Sequence, residues 1–186
     1  MARKSLDEML ADLPVSFPDN ITGVITPATV RLYFDNLIKA IRPSYAILSR
    51  SAAVTQAVTT VAAPLVFTSA DTSSSQGEYT ANAAVGRMTR LDKGVTQFQF
   101  TGNISSPSNS PRLLTFTIYK NGVASPFQQS QQFATAGEIV SLTFPAIQSS
   151  STAADYDMYV KSSVNDTFTF SNMVFIAQTI PSNTPL

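Results

Sequence analysis

The chain has 186 residues, with 12 basic and 12 acidic side chains and neither cysteine nor histidine. The absence of cysteine excludes disulfides and thiolate metal sites, and the absence of histidine removes the commonest general base and metal ligand. A net charge of zero lacks the basic excess that is typical of nucleic-acid binders. We therefore expect no enzyme activity, no cofactor, no metal ion and no nucleic-acid partner.

The sequence also lacks the patterns of a membrane or secreted protein. Its first ten residues, MARKSLDEML, include Asp7 and Glu8 where a signal peptide carries an unbroken apolar run. No apolar stretch approaches the roughly 20 residues that a membrane helix needs. These features predict synthesis in the cytoplasm without insertion into a membrane.

Two amphipathic helices are predicted near the N-terminus. In the first, Ser5 and Glu8 have the spacing of a capping box, and an apolar stripe at helical spacing follows them. In the second, Thr26 is a suitable N-cap, Pro27 suits the first helical position, and Pro43 ends the helix. The apolar face of the second helix consists of Val30, Tyr33, Phe34, Leu37, Ile38 and Ile41.

From about Tyr45 the apolar residues alternate with polar ones, which is typical of β-strands. Asn121–Gly122 predicts a two-residue hairpin turn, and residues 69–86 are predicted to form a long polar loop. Roughly ten short strands of this kind favour a β-sandwich with jelly-roll topology. The candidate strands are 45–50, 56–61, 64–68, 87–91, 95–101, 113–119, 128–133, 138–144, 156–162, 166–170 and 172–180.

This change of period predicts a helical N-terminal anchoring arm over residues 1–44 and a jelly-roll β-sandwich domain over residues 45–186. A helix as short as the second one is marginal in water unless it buries its apolar face. Two alternatives remain open. The helix packs on its own sandwich or on the first helix, or the arm docks on a neighbouring protein or on its copies in a trimer. We favour docking, because a jelly roll has a closed core of its own.

The β-region resembles the jelly rolls of the complement globular head and tumour necrosis factor family over residues 45–180. The resemblance lies in four stretches in the order seen in that family: GVTQFQFTGNIS (94–105), LLTFTIYKNGV (113–123), TAGEIVSLTF (135–144) and a final apolar strand, NMVFIAQTI. It implies a homotrimer packed through aromatic and aliphatic side chains. The expected trimer-interface residues are Phe98, Phe100, Tyr119 and Tyr159.

The N-terminal region resembles the leading segment of many tailed-bacteriophage virion proteins. These carry a phrase like Phe-Pro-Asp-Asn-x-Thr-Gly-x-Ile-Thr-Pro before a helix rich in Asp, Leu and Ile. Here the phrase spans Phe17 to Pro27, and Asp35, Leu37 and Ile38 follow it. The resemblance implies a virion structural component, without specifying which one.

Few residues suggest a site of chemistry. Asp155, Asp157 and Asp166 could form a carboxylate pair or a calcium site, but solvated turn aspartates are the favoured interpretation. The basic cluster is expected on a hairpin surface, and the tyrosines are expected in the sheets or at a trimer interface rather than stacked on sugars. The basic cluster comprises Arg87, Arg90 and Lys93, and the tyrosines are Tyr79, Tyr119, Tyr156 and Tyr159.

These features favour a non-enzymatic phage virion protein, either a trimeric capsid decoration protein or a head fibre. Its arm docks on the major capsid protein or another virion protein through the apolar face of the second helix, and its jelly roll projects from the particle surface. The alternative is a tail-fibre or receptor-binding module that recognises host surface glycans. A hydrolase is disfavoured, because a Ser-His-Asp or Cys-His arrangement is impossible without histidine and cysteine.

Overall fold

The computed structural model describes residues 27–41, 44–72 and 78–180. Within these ranges the chain forms one α-helix, α1, over Pro27–Ile41, followed by twelve β-strands. The second predicted helix is therefore confirmed. The first predicted helix, the residues Thr26, Arg42 and Pro43, and the C-terminal residues 181–186 lie outside the described residues.

Six of the twelve strands have nine or more residues, and the other six have six or fewer. Their bounds are β1 Tyr45–Arg50, β2 Val54–Val58, β3 Ala63–Pro64, β4 Ser69–Thr72, β5 Tyr79–Asn82, β6 Arg87–Arg90, β7 Gly94–Ser105, β8 Arg112–Lys120, β9 Val123–Phe133, β10 Ile139–Ser150, β11 Ala154–Ser162 and β12 Asp166–Ile180. A short 3₁₀ turn, Ala83–Val85, separates β5 from β6.

The strands form two antiparallel sheets that face each other. In sheet A the order is β10-β7-β12-β1-β4, with β2 also pairing β12. In sheet B the order is β5-β6-β11-β8-β9, with β3 also pairing β11. Strands that follow one another in the chain repeatedly cross between the sheets, as in a jelly roll. The predicted fold class, a mainly β jelly-roll sandwich preceded by a helix, is confirmed.

Alternation of side chains builds the core between the two sheets. In β8, Leu114, Phe116 and Ile118 are buried, while the residues between them point away from the other sheet. The rings of Phe100 and Phe116 stack across the interior with centroids 5.5 Å apart. Burying a side chain of this size contributes about 1.5–3 kcal/mol to the free energy of unfolding. The sandwich therefore has a complete core within a single chain.

This packing corrects the prediction for Phe98 and Phe100. Both side chains are fully buried between the sheets, where the ring of Phe98 contacts Tyr156 and that of Phe100 contacts Phe116. Neither side chain reaches the surface, so neither contributes to a trimer interface. Alternation places the two glutamines of β7, Gln97 and Gln99, on the outer face instead.

The predicted hairpin turn at Asn121–Gly122 is confirmed. Its two residues have φ angles of 52° and 77°, which is the left-handed conformation that a type I′ turn requires at both central positions. The turn joins Lys120 of β8 to Val123 of β9. The Asn121 side chain accepts a hydrogen bond of 2.8 Å from the backbone of Asp155, which ties the turn to β11.

Strand bounds differ from the prediction around the polar loop and in the last strands. Residues 69–86 contain two short edge strands, β4 and β5, rather than a continuous loop. Of the predicted strand 64–68 only Pro64 lies in a strand, the two-residue β3. The last two predicted strands form one continuous strand, β12. Edge strands escape detection because their side chains are largely exposed, so apolar alternation is weak there.

Two edge strands contain a proline in their interior. β9 is the edge of sheet B and carries Pro126, and β10 is the edge of sheet A and carries Pro145. Proline has no backbone N–H, so it is tolerated in a sheet where that group would otherwise point to solvent. Both prolines lie on the same side of the sandwich, where β9 and β10 follow each other in the chain.

Candidate interaction surfaces

The apolar face of helix α1 is only partly covered. Phe34 is 55% exposed, while Val30, Tyr33 and Leu37 are half-buried. The rings of Tyr33 and Phe34 meet edge to face with centroids 6.4 Å apart. The side chains of Ile38 and Ile41 are not among the described ones. No helix in the described ranges is long and apolar enough to span a membrane.

The outer surface of sheet A, here called face A, is nearly free of charge and mixes aliphatic with uncharged polar side chains. One row of paired residues runs across four strands through Ile47, Ile176, Gln99 and Pro145. Among the described strands, Asp71 on the edge strand β4 is the one charged residue that points outward from this sheet. The aliphatic and aromatic side chains of face A are Tyr45, Ile47, Val95, Pro145, Ile147, Val174, Ile176 and Ile180. The polar side chains of the same face are Ser49, Gln97, Gln99, Thr101, Asn103, Thr143 and Gln178.

The outer surface of sheet B, here called face B, carries an ion-pair cluster. Arg87 Nε and Nη2 donate to the two carboxylate oxygens of Asp157 at 2.9 and 3.2 Å, and Arg87 Nη1 lies 3.2 Å from Asp155. The hydroxyl of Thr89 donates to Asp155 at 2.6 Å. The residues that define face B are Arg87, Thr89, Thr115, Thr117, Tyr119, Gln128, Asp155, Asp157, Tyr159 and Lys161.

This cluster corrects the interpretation of Asp157 as a solvated turn residue. Asp157 lies inside β11 and is 1% exposed, although it points away from the core. The hydrogen bonds and charge of Asp157 raise the pKa of Arg87 above its ordinary value. A bidentate pair of this kind fixes both side chains, because the planar guanidinium matches the carboxylate. The role is therefore structural: the cluster joins β6 to β11.

Tyr119 and Tyr159, two of the predicted interface residues, lie side by side on face B. Their rings stack with centroids 3.9 Å apart and an angle of 19° between planes. Both side chains are partly exposed. The prediction that they meet a partner chain stays a prediction, but the pair does form an aromatic platform beside the Arg87 cluster.

Arg90 and Tyr79 point into the sandwich rather than to its surface. Arg90 is 2% exposed, and its Nη1 donates to Thr96 at 3.1 Å while its Nη2 donates to the carbonyl of Lys93 at 2.9 Å. The hydroxyl of Tyr79 lies 3.1 Å from that of Thr96. The prediction of a basic hairpin surface is therefore wrong for Arg90. Alternation along β6 could have predicted this burial, because Arg90 lies two residues after the buried Met88 and so points to the same side of the strand.

Glu78 and Tyr156 belong to the same buried polar region. The hydroxyl of Thr179 donates to Glu78 at 2.9 Å. Tyr156 is fully buried, and its hydroxyl has no hydrogen-bond partner among the described residues. Burial raises the pKa of Tyr156 above its ordinary value, because the ionised phenolate loses its hydration. Neither Tyr79 nor Tyr156 is available to stack on a sugar.

Asp166 lies apart from Asp155 and Asp157. It begins β12 and accepts a hydrogen bond of 2.8 Å from Arg112 Nε. The backbone N–H of Thr167 donates to the same carboxylate, and these contacts hold the pKa of Asp166 below its ordinary value. Across the described ranges no group of three acidic, cysteine or histidine side chains is placed to hold a metal ion.

Comparisons with known proteins find similarity in structure only. No protein-family model matches the chain, and no curated protein matches its sequence significantly. Among the solved structures that are similar is the Eiger TNF of S. frugiperda, which is 8% identical in sequence with a TM-score of 0.48. The match covers 78% of this chain and 98% of the Eiger chain. The globular domain of zebrafish complement 1qA is 12% identical in sequence, with a TM-score of 0.47. That match covers 77% of this chain and 100% of the zebrafish domain. Pika GITRL is 12% identical with a TM-score of 0.42, and the match covers 76% of this chain and 98% of the GITRL chain.

Proposed function

We propose that this chain is a non-enzymatic structural protein of a tailed-phage virion, acting as a homotrimeric capsid decoration protein or head fibre. Three jelly rolls associate through face A and project from the virion surface. The N-terminal arm docks on the major capsid protein or on another virion protein. The likeness of the N-terminal region to phage virion proteins supports the location. The nearly uncharged face A and the exposed apolar side chains of α1 support the contacts.

Face A supports the association of copies. Its central row combines Ile47, Ile176 and Pro145, and the charged side chains of the sandwich lie elsewhere apart from Asp71. Removing apolar area from water yields about 25 cal/mol per Å², and contiguous exposed apolar patches are typical of interaction sites. Association on this face meets no cost of burying an unpaired charge in its central row.

The docking proposal rests mainly on the exposure of Phe34, which belongs to the apolar face of the amphipathic helix α1. The sandwich has its own complete core, so it gains nothing essential from the helix. Phe34 is 55% exposed and flanked by partly exposed Tyr33, which leaves an aromatic edge for a partner protein. Aromatic side chains of this kind frequently dominate the energy of protein–protein interfaces.

Three arms on one trimer explain how modest contacts give firm attachment. Once the first arm has bound, the other two are held near their own sites at a high effective concentration. The overall affinity then exceeds that of a single arm by about 10²–10⁴-fold. A trimer that bridges capsid subunits also stabilises the assembled shell, because it binds the assembled state only.

The docking proposal is tested by replacing Phe34 with aspartate and measuring co-sedimentation of the protein with capsids of the parental phage. Leu32→Asp is the matched control, since Leu32 is 50% exposed on the opposite side of the same helix. We expect Phe34→Asp to reduce capsid binding at least tenfold and Leu32→Asp to leave it nearly unchanged, with the same melting temperature for both variants.

Two results would contradict the docking proposal. If Phe34→Asp binds capsids as the unaltered protein does, the helix is not the anchor. If Phe34→Asp lowers the melting temperature by several degrees while Leu32→Asp does not, the helix packs on its own sandwich instead. The second outcome restores the alternative in which α1 covers part of the β-domain.

The aromatic platform on face B favours a second candidate, a module that recognises host surface glycans. Sugars pack on exposed aromatic rings and accept hydrogen bonds from nearby polar side chains, and Tyr159 lies next to Arg87 and Lys161 on this face. A glycan array tests this function. A specific glycan signal that Tyr159→Ala abolishes and Phe34→Asp leaves intact supports recognition of sugars over capsid docking.

A further inference from the structure

A polar pocket opens at the end of β1, where this strand lies beside β12. We call it the bulge pocket, and its volume is about 240 Å³. Its polar walls come from the end of β1, the start of β4 and one residue of β12. These are Ser49, Arg50, Ser51, Thr68, Ser69 and Asn172.

A β-bulge in β12 creates this pocket. The pairing of β12 with β7 shifts register between Ser171 and Val174, and Asn172 adopts a left-handed φ of 49°. β2 pairs with β12 over Asp166 to Phe170, and β1 pairs with it over Met173 to Gln178. The segments of β12 that pair with β1 and with β2 are therefore separated by residues at the bulge that pair with neither strand, which leaves a gap in the sheet.

Arg50 brings a positive charge to this gap. Its Nη1 donates to the carbonyl of Val66 at 3.2 Å, while its Nε is buried and has no partner among the described residues. No described carboxylate forms an ion pair with Arg50, in contrast to Arg87 and Arg112. A guanidinium keeps its charge at all physiological pH values and offers five donors. The N–H groups of Nη2 and the second N–H of Nη1 thus remain available to a ligand, whereas the buried Nε does not.

Further donors surround this guanidinium. The side chains of Ser51, Ser69 and Asn172 are exposed and make no hydrogen bond with other described residues. Hydroxyl and amide groups together with a guanidinium match the chemistry of an oxyanion, since each oxygen can accept several hydrogen bonds. The pocket volume also exceeds the ~30 Å³ share of one water molecule several-fold, so an oxyanion with a small substituent fits.

We propose that the bulge pocket binds a small oxyanion, either a phosphate or sulfate group or the carboxylate of an acidic sugar. Arg50 pairs with the anion, and Ser51, Ser69 and Asn172 donate to its oxygens. The site does not depend on the virion role of the protein. Asp71 lies two residues beyond Ser69 on the outer face of β4 and is exposed. Its negative charge weakens the binding of an anion nearby.

Calorimetric titration of the full chain tests this site, with inorganic phosphate, glucuronate and neutral glucose at constant ionic strength. We expect saturable binding of phosphate or glucuronate and none of glucose. Arg50→Gln should weaken that binding about tenfold or more, because it removes a charged hydrogen-bond donor. Lys161→Gln is the control: it removes the same charge from face B and should leave the affinity unchanged. Binding of phosphate alone identifies a phosphorylated ligand, and binding of glucuronate alone identifies an acidic sugar.

Two further variants separate binding from folding. Asn172→Gly keeps the left-handed backbone that glycine adopts readily, so it should weaken anion binding several-fold without lowering the melting temperature. Asp71→Asn should strengthen binding a few-fold. The proposal is overturned if neither anion binds saturably, or if Arg50→Gln and Asn172→Gly bind as tightly as the unaltered chain. Light scattering on the same samples reports the oligomeric state, so a failed trimer prediction is distinguishable from a failed anion site.

Discussion

The two outer faces of the sandwich satisfy their side chains in different ways. On face B, the charges of Arg87, Asp155 and Asp157 are paired within the chain at distances near 3 Å. On face A, the central row holds Ile47 and Ile176, whose aliphatic groups remain partly exposed. The charges of this cluster on face B are therefore paired within the chain, whereas the aliphatic groups of face A remain partly exposed to solvent.

This difference also shows why ion pairs do not by themselves mark a functional site. Asp155 and Asp157 have the spacing of a carboxylate pair, yet both are held by Arg87 and serve to join two strands. Face A carries almost no charge, and its partly exposed aliphatic side chains are the basis of the association proposed above. The contrast between the faces leads to four predictions.

The largest expected effect comes from a charge placed at the centre of face A. Ile176→Asp puts one buried carboxylate per copy into the proposed interface, where unpaired charge costs several kcal/mol. We expect the trimer to dissociate into folded monomers in sedimentation velocity experiments. Gln128→Asp is the control, because Gln128 is exposed on face B; it should leave the trimer intact. Dissociation by both variants, or by neither, would contradict the assignment of the interface to face A.

On face B, the expected effect is on folding rather than association. Asp157→Asn removes the charge that pairs with Arg87 from a buried position, so we expect a loss of about 1–3 kcal/mol in the free energy of unfolding. Asp155→Asn should cost less than about 1 kcal/mol, because Asp155 is partly exposed. Urea denaturation measures both. Equal losses for the two variants would show that burial does not distinguish these carboxylates.

A smaller effect is expected inside the sandwich, beneath the two faces. Tyr156 has a buried hydroxyl without a partner among the described residues and a raised pKa. The unfolded chain therefore releases this proton more readily, so stability is intact below pH ~10 and falls as the pH rises above it. Tyr156→Phe should change the free energy of unfolding at pH 7 by less than about 1 kcal/mol and reduce the alkaline loss. A loss above that range at pH 7 would reveal a hydrogen bond to the hydroxyl.

The smallest effect concerns Asp166, at the start of β12. Its pKa is lowered by the backbone N–H of Thr167 and by Arg112. Its contribution is therefore present above the unfolded pKa of about 3.9 and is lost as the pH falls through the lower folded pKa. Asp166→Asn should flatten the acid limb of stability below pH ~4 and change little at pH 7. An unchanged acid limb in thermal melts would refute this assignment.

Local pattern was enough to predict much of the fold. The alternation in β8 and the Asn121–Gly122 pair identified a hairpin whose turn residues have the required positive φ angles. The cap and proline signals placed helix α1 at Pro27–Ile41. These features are local, because each depends on residues within a few positions of one another, and the sequence displays such relations directly.

The predictions of site residues were wrong where they depended on whether a strand residue points into the core or out to the surface. Alternation places Phe98 and Phe100 on one side of β7 and Gln97 and Gln99 on the other. The family resemblance suggested that the two phenylalanines lie at a trimer interface, but both are buried in the core. Arg90 was expected on a surface because it is charged. Its burial depends on Thr96 and the carbonyl of Lys93, and the geometry of these contacts is set by the paired strands.

The bulge pocket was not foreseen, because three distant segments build it. Arg50 ends a strand that the sequence predicts well, and nothing in YAILSR distinguishes it from an ordinary surface arginine. The bulge at Asn172 arises from a register shift between β12 and β7, which alternation within β12 alone does not reveal. Register is a relation between strands, so it remains hidden in a single sequence.

The prolines of β9 and β10 have a consequence for many copies held close together. An unpaired strand edge is a template for further strands, and repeated edge pairing produces aggregates and fibrils. Pro126 and Pro145 remove a donor from each of the two neighbouring edges, which interrupts any intermolecular ladder that forms there. Edge-to-edge strand pairing along this flank is therefore disfavoured.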